Sequence, residues 1–260
     1  MVATVVSKPY GPQIDITLAP YGVRGNGTTI QTDAIQAAID DVAAAGGGDI
    51  VFPARYAGSR AVYVTRQLRL RSRVGLTAQH GWGAVLLRAA ATNADLIVLD
   101  TVNVEMVTVD GLCLQGNKAH NTSGNGLSIT NTGGSWTHSS PYHVFRNVFA
   151  ELFNDAGFYF KDTLGSSVDN CHAKNNDGRG FDVATTDSFF HACTAATNGL
   201  SGFYVTNGNN RFSICKAYTS GQRIAVASDE ADGFLNSHAG RNQYVGCEAQ
   251  DNRRHGFVAI

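Results

Sequence analysis

Tyr159, Lys161, Arg179, Asp182 and Tyr204 are the residues of this 260-residue chain whose types and spacing would do chemistry. Asp182 follows Tyr159 by 23 positions and Tyr204 follows Asp182 by 22. Aromatic faces beside Arg, Lys and Asp suit a carbohydrate polymer, with rings against apolar sugar faces and charged groups on hydroxyls or carboxylates. Chemistry on a uronate needs a cation for the carboxylate, a base for the C5 proton and an acid for the leaving oxygen. Lys161 or Arg179 would neutralise, and Tyr159 would act as base or acid if those cations lowered its pKa. Inverting glycoside hydrolysis needs instead two carboxylates about 6.5–9.5 Å apart. Asp182 has no acidic neighbour on the strands, so that version would draw on Asp229, Glu230 or Asp232. Tyr159, Lys161 and Asp182 are thus the candidate catalytic set. Arg179, Tyr204, Trp136, Arg223, Asp229, Glu230 and Asp232 are candidates for substrate binding. The alternative is an ordinary solvated strand face.

These residues meet only if the chain returns to one place every 22 or 23 positions, and the sequence repeats on that period. Gly-Phe falls at Gly157-Phe158, Gly180-Phe181, Gly202-Phe203, Gly233-Phe234 and Gly256-Phe257, at intervals of 23, 22, 31 and 23. Seven residues before four of these glycines stand Ala150, Ala173, Ala195 and Ala249, and nine before stand Val148, Cys171, Cys193 and Cys247. Cys215-Lys216-Ala217 repeats the pattern ahead of the longer unit. A fixed period of this length means stacked units of one supersecondary type. Each Gly-Phe opens a period-two alternation such as Phe181-Asp182-Val183, which is a strand buried on one face. Turn-formers such as Asn175-Asn176-Asp177-Gly178 separate the strands. Coils of two or three strands without a helix bury their apolar side only by stacking in parallel. The expected fold is all-β, a right-handed parallel β-helix (a solenoid) with one N-terminal capping α-helix.

In that fold the residues between inward positions form an outward ladder: Ser128, Tyr159, Asp182, Tyr204, Leu235, Val258. A second runs beside it through Thr130, Lys161, Ala184 and Thr206. Ala156, Arg179, Ser201, Asp232 and His255 border the same face. Insertions at 131–142 (with Trp136) and 220–232 (with Arg223, Asp229, Glu230 and Asp232) lengthen two units and would wall a groove.

Net charge is −1 and eight histidines are scattered, so there is no basic footprint for nucleic acid. No apolar run is long enough for membrane insertion. Cys171, Cys193, Cys215 and Cys247 share one repeat position and should stack in the core about 4.8 Å apart, side chains parallel, as free thiols. There is no CxxC and no clustered ligand set, so no metal and no cofactor is expected. The N-terminus lacks the features of a signal peptide, which leaves either another export route or a removed leader.

Residues 1–15 read as an irregular arm, 16–60 as a capping region and 61–260 as coils. The helix is expected over about 32–45, with Thr32 as N-cap and Ile35, Ile39 and Val42 on its apolar face. Its task would be to cover the open end of the first coil. GVRGNGTTIQTDAIQAAIDDVAAAGGGDIVFPA resembles the opening of the pectate-lyase-like β-helix superfamily. The resemblance covers residues 16–65 closely. It implies a fold and a carbohydrate context that includes polysaccharide lyases, galacturonases, mannuronan epimerases and phage tail spikes, and not one reaction. Epimerases of that group carry a YGFDPH motif, but the equivalent stretch here is Ala156-Gly157-Phe158-Tyr159-Phe160-Lys161, which argues against that activity.

Two classes follow. One is a phage tail spike or minor tail protein at the virion surface, a homotrimer contacting cell-surface glycans. The other is a secreted polysaccharide lyase, hydrolase or epimerase using Tyr159, Lys161 and Asp182. The last coil ends at HGFVAI without a polar cap, so the coils either continue beyond residue 260 or dock on another subunit.

Overall fold

The computed structural model describes residues 11–79, 81–99, 104–130, 142–222, 230–237 and 240–260. Each coil lays one short strand into each of three parallel sheets, of nine, eight and nine strands among the described residues. The expected parallel solenoid is therefore what the sequence builds. The second sheet carries the Gly-Phe strands Phe158–Leu164, Phe181–Thr186, Phe203–Val205, Phe234–Asn236 and Phe257–Ala259. The third carries the alanine strands Phe149–Glu151, His172–Lys174, Thr194–Ala196, Lys216–Tyr218 and Glu248–Gln250.

Register places like on like. Phe158, Phe181, Phe203, Phe234 and Phe257 face one another in turn, with near-parallel rings 4.7 Å apart. That separation is the strand repeat, so the backbone ladder sets the ring stack. A second stack, Phe190, Phe212 and Tyr244 at 4.8 Å, meets the first edge-on, which is the favourable approach for aromatic quadrupoles.

The glycine before each phenylalanine is explained by space. A Cβ on Gly180 would lie 2.8 Å from the Ala195 Cβ and 2.6 Å from the Gly202 carbonyl oxygen. Glycine and alanine recur together because Gly157, Gly180, Gly202 and Gly233 each pack on the alanine of the following coil. Some of the turn-formers also have a buried task. Asn176 and Asn198 are buried; Asn198 Oδ1 accepts from Asn176 N at 3.2 Å, and Asn176 Oδ1 from Phe153 N at 3.0 Å. These amides satisfy backbone groups that no sheet reaches at the corners. Three of the four cysteines expected to stack in the core are buried there, and Cys247, in the last coils, is half-buried. Cys171, Cys193 and Cys215 are buried free thiols, each donating at 3.4 Å to a carbonyl of the preceding coil.

The helix, α1 (Thr32–Ala44), packs Ile35, Ala38, Ile39 and Val42 on the first coils. Thr32 is not its N-cap. Gln31 holds that position without a side-chain cap bond, and the Thr32 hydroxyl instead accepts from Arg66 N at 2.8 Å. Gln36 on α1 exchanges two hydrogen bonds with the Arg69 backbone, 2.9 and 3.0 Å, on the first strand of the second sheet. The helix thus covers both the apolar end and the edge hydrogen-bonding groups of that sheet. Gln13–Asp15, expected in the arm, already pairs as a strand with Asp49–Val51. Residues 1–10 of that arm lie outside the described residues.

Candidate functional site

The outward ladder exists as the alternation requires. Ser128, Tyr159, Asp182, Tyr204, Leu235 and Val258 are successive register partners across the second sheet. Phe158, Phe160, Phe181 and Val183 fill the core on the opposite face, so the backbone alternation fixes where Tyr159 and Asp182 point.

Arg179 is the centre of the site. It stands just before Gly180, where the chain rises into the Gly-Phe strand. Its guanidinium forms an ion pair with Asp182, three residues on, and donates twice to Glu230 Oε2, from Nε at 2.9 Å and from Nη2 at 2.6 Å. It also lies over the Tyr204 ring, 3.7 Å from the centroid. Burial alone would lower the Arg179 pKa, but Asp182 and Glu230 outweigh it and raise it. Burial raises the Asp182 carboxyl; Arg179 opposes this and Glu230 adds to it. Asp182 is 8 % exposed, so the arginine is its main compensation.

A cleft of about 360 Å³ opens beside this cluster, walled by Asp155, Tyr159, Arg179 and Asp182, with Asn125 and Leu200 at its margins. Burial, then Asp182, Asp162 and Asp95, holds the Tyr159 phenol above its ordinary range, with Arg179 opposing more weakly. The lowered phenol that a Tyr159 base would need is therefore not produced: acidic neighbours dominate over cations. Tyr159 stays protonated at neutral pH, as a hydrogen-bond donor and acceptor.

The structure gathers Tyr159, Arg179, Asp182, Tyr204 and Glu230, and separates others from them. Lys161 is exposed, two residues beyond Tyr159, and does not line the cleft. Asp232 is fully buried instead of facing a groove; its Oδ1 accepts from His255 N at 3.0 Å, and Arg254 Nη1 lies 3.8 Å from its Oδ2. Trp136, Arg223 and Asp229 lie outside the described residues. Among the described residues no group of His, Cys, Asp and Glu is arranged to hold a metal ion.

Asp155, Asn125 and Asp95 were not singled out by the sequence pattern. Asn125 stands before Gly126 as Arg179 stands before Gly180, so carrying the pre-glycine column one coil back finds it. Asn125 Oδ1 accepts from Ala156 N at 2.8 Å, and Asp95 Oδ1 accepts from Asn125 N at 2.7 Å and Nδ2 at 3.0 Å. Asp155 stands where the neighbouring coils have Gly124, Gly178 and Leu200, so the repeat gives no acidic counterpart; Gly124 N lies 2.6 Å from its Oδ2. Behind them Arg88 is fully buried and donates to the carbonyls of Gly116, Ala94 and Ser123 and to Asn154 Oδ1 at 2.7–2.8 Å.

With this geometry in hand, residues 89–244 match the family model described as "Right handed beta helix region", and the chain belongs to that family. Its fold is shared with the A-module of mannuronan C-5 epimerase AlgE4 from Azotobacter vinelandii, at 18% identity and a TM-score of 0.69 over 92% of this chain and 68% of that one. Tailspike protein 2 of Escherichia coli O157:H7 bacteriophage CAB120 is similar at 15% identity and TM-score 0.72, over 89% of this chain and 31% of that one. ORF18 of Geobacillus virus E2 is similar at 16% identity and TM-score 0.67, over 90% of this chain and 48% of that one. This chain therefore spans about a third and a half of the two phage proteins. No curated protein sequence matches it. No helix among the described residues is long and apolar enough to cross a membrane.

Proposed function

We propose that this chain is a polysaccharide-directed β-helix of the tail-spike kind, displayed on a virion surface as a homotrimer, and that it holds a glycan in the cleft at Tyr159 and Asp182. The observation that carries the reading is the cleft itself. Asn125, Asp155 and Tyr159, and then Arg179 and Asp182, come from successive coils, so the recess runs across the stack. Such a recess offers an extended polymer hydroxyl acceptors and a protonated phenol, positioned by a rigid backbone. The phage proteins of the same fold support the particle-surface setting, and the resemblance of residues 16–65 supports the carbohydrate context.

Affinity electrophoresis against a panel of bacterial surface polysaccharides tests it. Tyr159→Ala should weaken retention at least tenfold with an unchanged melting midpoint. Retention that ignores Tyr159→Ala and Asp155→Asn would place binding elsewhere. Light scattering should give three times the monomer mass of 27.6 kDa.

A second reading, hydrolysis, is favoured by one observation. Asp182, raised by burial, and Glu230 stand on either side of one guanidinium. Acid–base hydrolysis requires two carboxyls, one of them raised, and burial shifts Asp182 in that direction while Arg179 opposes it. Reducing-sugar release lost in Asp182→Asn would establish it. Lyase and epimerase chemistry is less favoured, because both Arg179 and Tyr159 are engaged or protonated in the wrong sense.

A further inference from the structure

We infer that the cleft selects an uncharged, hydroxyl-rich glycan and turns away polyuronates, because its arginine is already neutralised by the protein's own carboxylates. This rests on the reading of the cleft as a glycan site.

Recognition of a uronate needs a cation with a free hydrogen-bonding edge. Three of the five N–H groups of Arg179 are taken, and its single charge is set against two carboxylates. Nη1 is on Asp182, Nε and Nη2 are on Glu230, and one face of the guanidinium is against Tyr204. Arg88 lies beneath the site, fully buried, with its donors on carbonyls and Asn154. Lys161 is exposed, outside the cleft wall and next to Asp162.

Carboxylates dominate the rest. Asp95, Asp155, Asp162, Asp182 and Glu230 surround Tyr159 and Arg179, and after burial the largest effects on the Tyr159 phenol come from Asp182, Asp162 and Asp95. Residues 131–141 contain neither Lys nor Arg, and 223–229 contain Arg223 together with Asp229. A polymer bearing one carboxylate per sugar would meet like charge in a partly desolvated recess, which disfavours it strongly. A neutral sugar meets complementary groups. Its hydroxyls donate to the Asp155 and Asp182 oxygens that backbone and arginine leave over, and accept from the Tyr159 phenol.

The test pairs each uronate polymer with its own carboxyl-reduced form, so that charge changes and the sugar backbone is kept. Polygalacturonate, alginate and their reduced derivatives are measured by affinity electrophoresis at pH 7 in low salt, beside neutral galactan, mannan and glucan. At least one neutral polymer should be retained ten times more strongly than either uronate. Uronate binding as strong as its reduced partner, lost in Tyr159→Ala, would overturn the inference and keep the cleft as a glycan site. Retention by none of the polymers would overturn the glycan reading and the inference together. The double variant Asp182→Asn with Glu230→Gln releases Arg179 and should gain polygalacturonate binding at least tenfold. If that folded variant gains none, the arginine is not what sets the preference.

Discussion

Replacing Arg179 by Met removes the one cation that, among the described residues, compensates Asp182 directly, and leaves two carboxylates facing each other. Removing one partner of a buried ion pair costs about 3–5 kcal/mol. Here the side chains of Arg179, Asp182 and Glu230 are 22, 12 and 31% exposed, so water recovers part of the loss. The contact with Tyr204 adds about 0.5–1 kcal/mol. The net cost should be about 2–4 kcal/mol at pH 7, roughly a 1 M fall in urea midpoint. Its pH dependence carries the stronger signature. Without Arg179 the folded-state pKa of Asp182, already raised by burial, rises further above its unfolded value. Between those two pKa values the folded state holds more protons than the unfolded one, so stability falls as pH rises. The variant should therefore approach wild-type stability near pH 4 and diverge from it toward pH 7. Urea unfolding followed by circular dichroism at both values reads this. The triple variant that also carries Asp182→Asn and Glu230→Gln should recover most of the loss, since no uncompensated charge remains. Equal destabilisation at pH 4 and pH 7, or no rescue in the triple variant, would refute the electrostatic account.

The remaining predictions concern the scaffold. Phe203→Ala opens a gap between Phe181 and Phe234, each 4.7 Å away, and should cost about 3–5 kcal/mol by thermal or urea denaturation. Gly180→Ala should destabilise by about 2 kcal/mol or more, because the contact at 2.6 Å is with backbone; Gly22→Ala, where a Cβ meets nothing, should cost less despite its φ of 59°. His143 is fully buried and held neutral, its pKa pushed down by burial to about 4. A base depressed on folding contributes stability that is complete above about pH 6.5 and is lost as pH falls toward 4. The loss is on the order of 3 kcal/mol, and His143→Gln should remove it from the pH profile.

The fold was legible because the repeat imposes it. Identical spacing of Gly-Phe, alanine and cysteine fixes register, and register fixes which side chains face outward, so the ladder from Ser128 through Tyr159, Asp182 and Tyr204 could be written from sequence. What the pattern could not supply is the state of those residues. Glu230 lies 51 positions from Arg179 and reaches it through an insertion that has no repeat counterpart. That contact adds a second carboxylate to an arginine already paired with Asp182. Asp232, two residues further on, was expected at the groove and is buried, where its Oδ1 accepts from His255 N on the next coil. Tyr159 was read beside Lys161 along the strand. In the folded coil the stronger charges on it are Asp182, across the ladder, then Asp162 on its own strand and Asp95, two coils back. Thr32 was read as a local cap, but the hydroxyl is used across coils. In each case a contact of long sequence separation displaces the local one, which is what a solenoid with loops makes common.

Where a bound glycan lies is the most direct test of the central claim. Hydrogen exchange with and without the best-retained neutral polymer should show protection concentrated in residues 155–161 and 178–184, at the cleft walls. Protection confined to the first or third sheet while binding persists would contradict the assignment of this cleft.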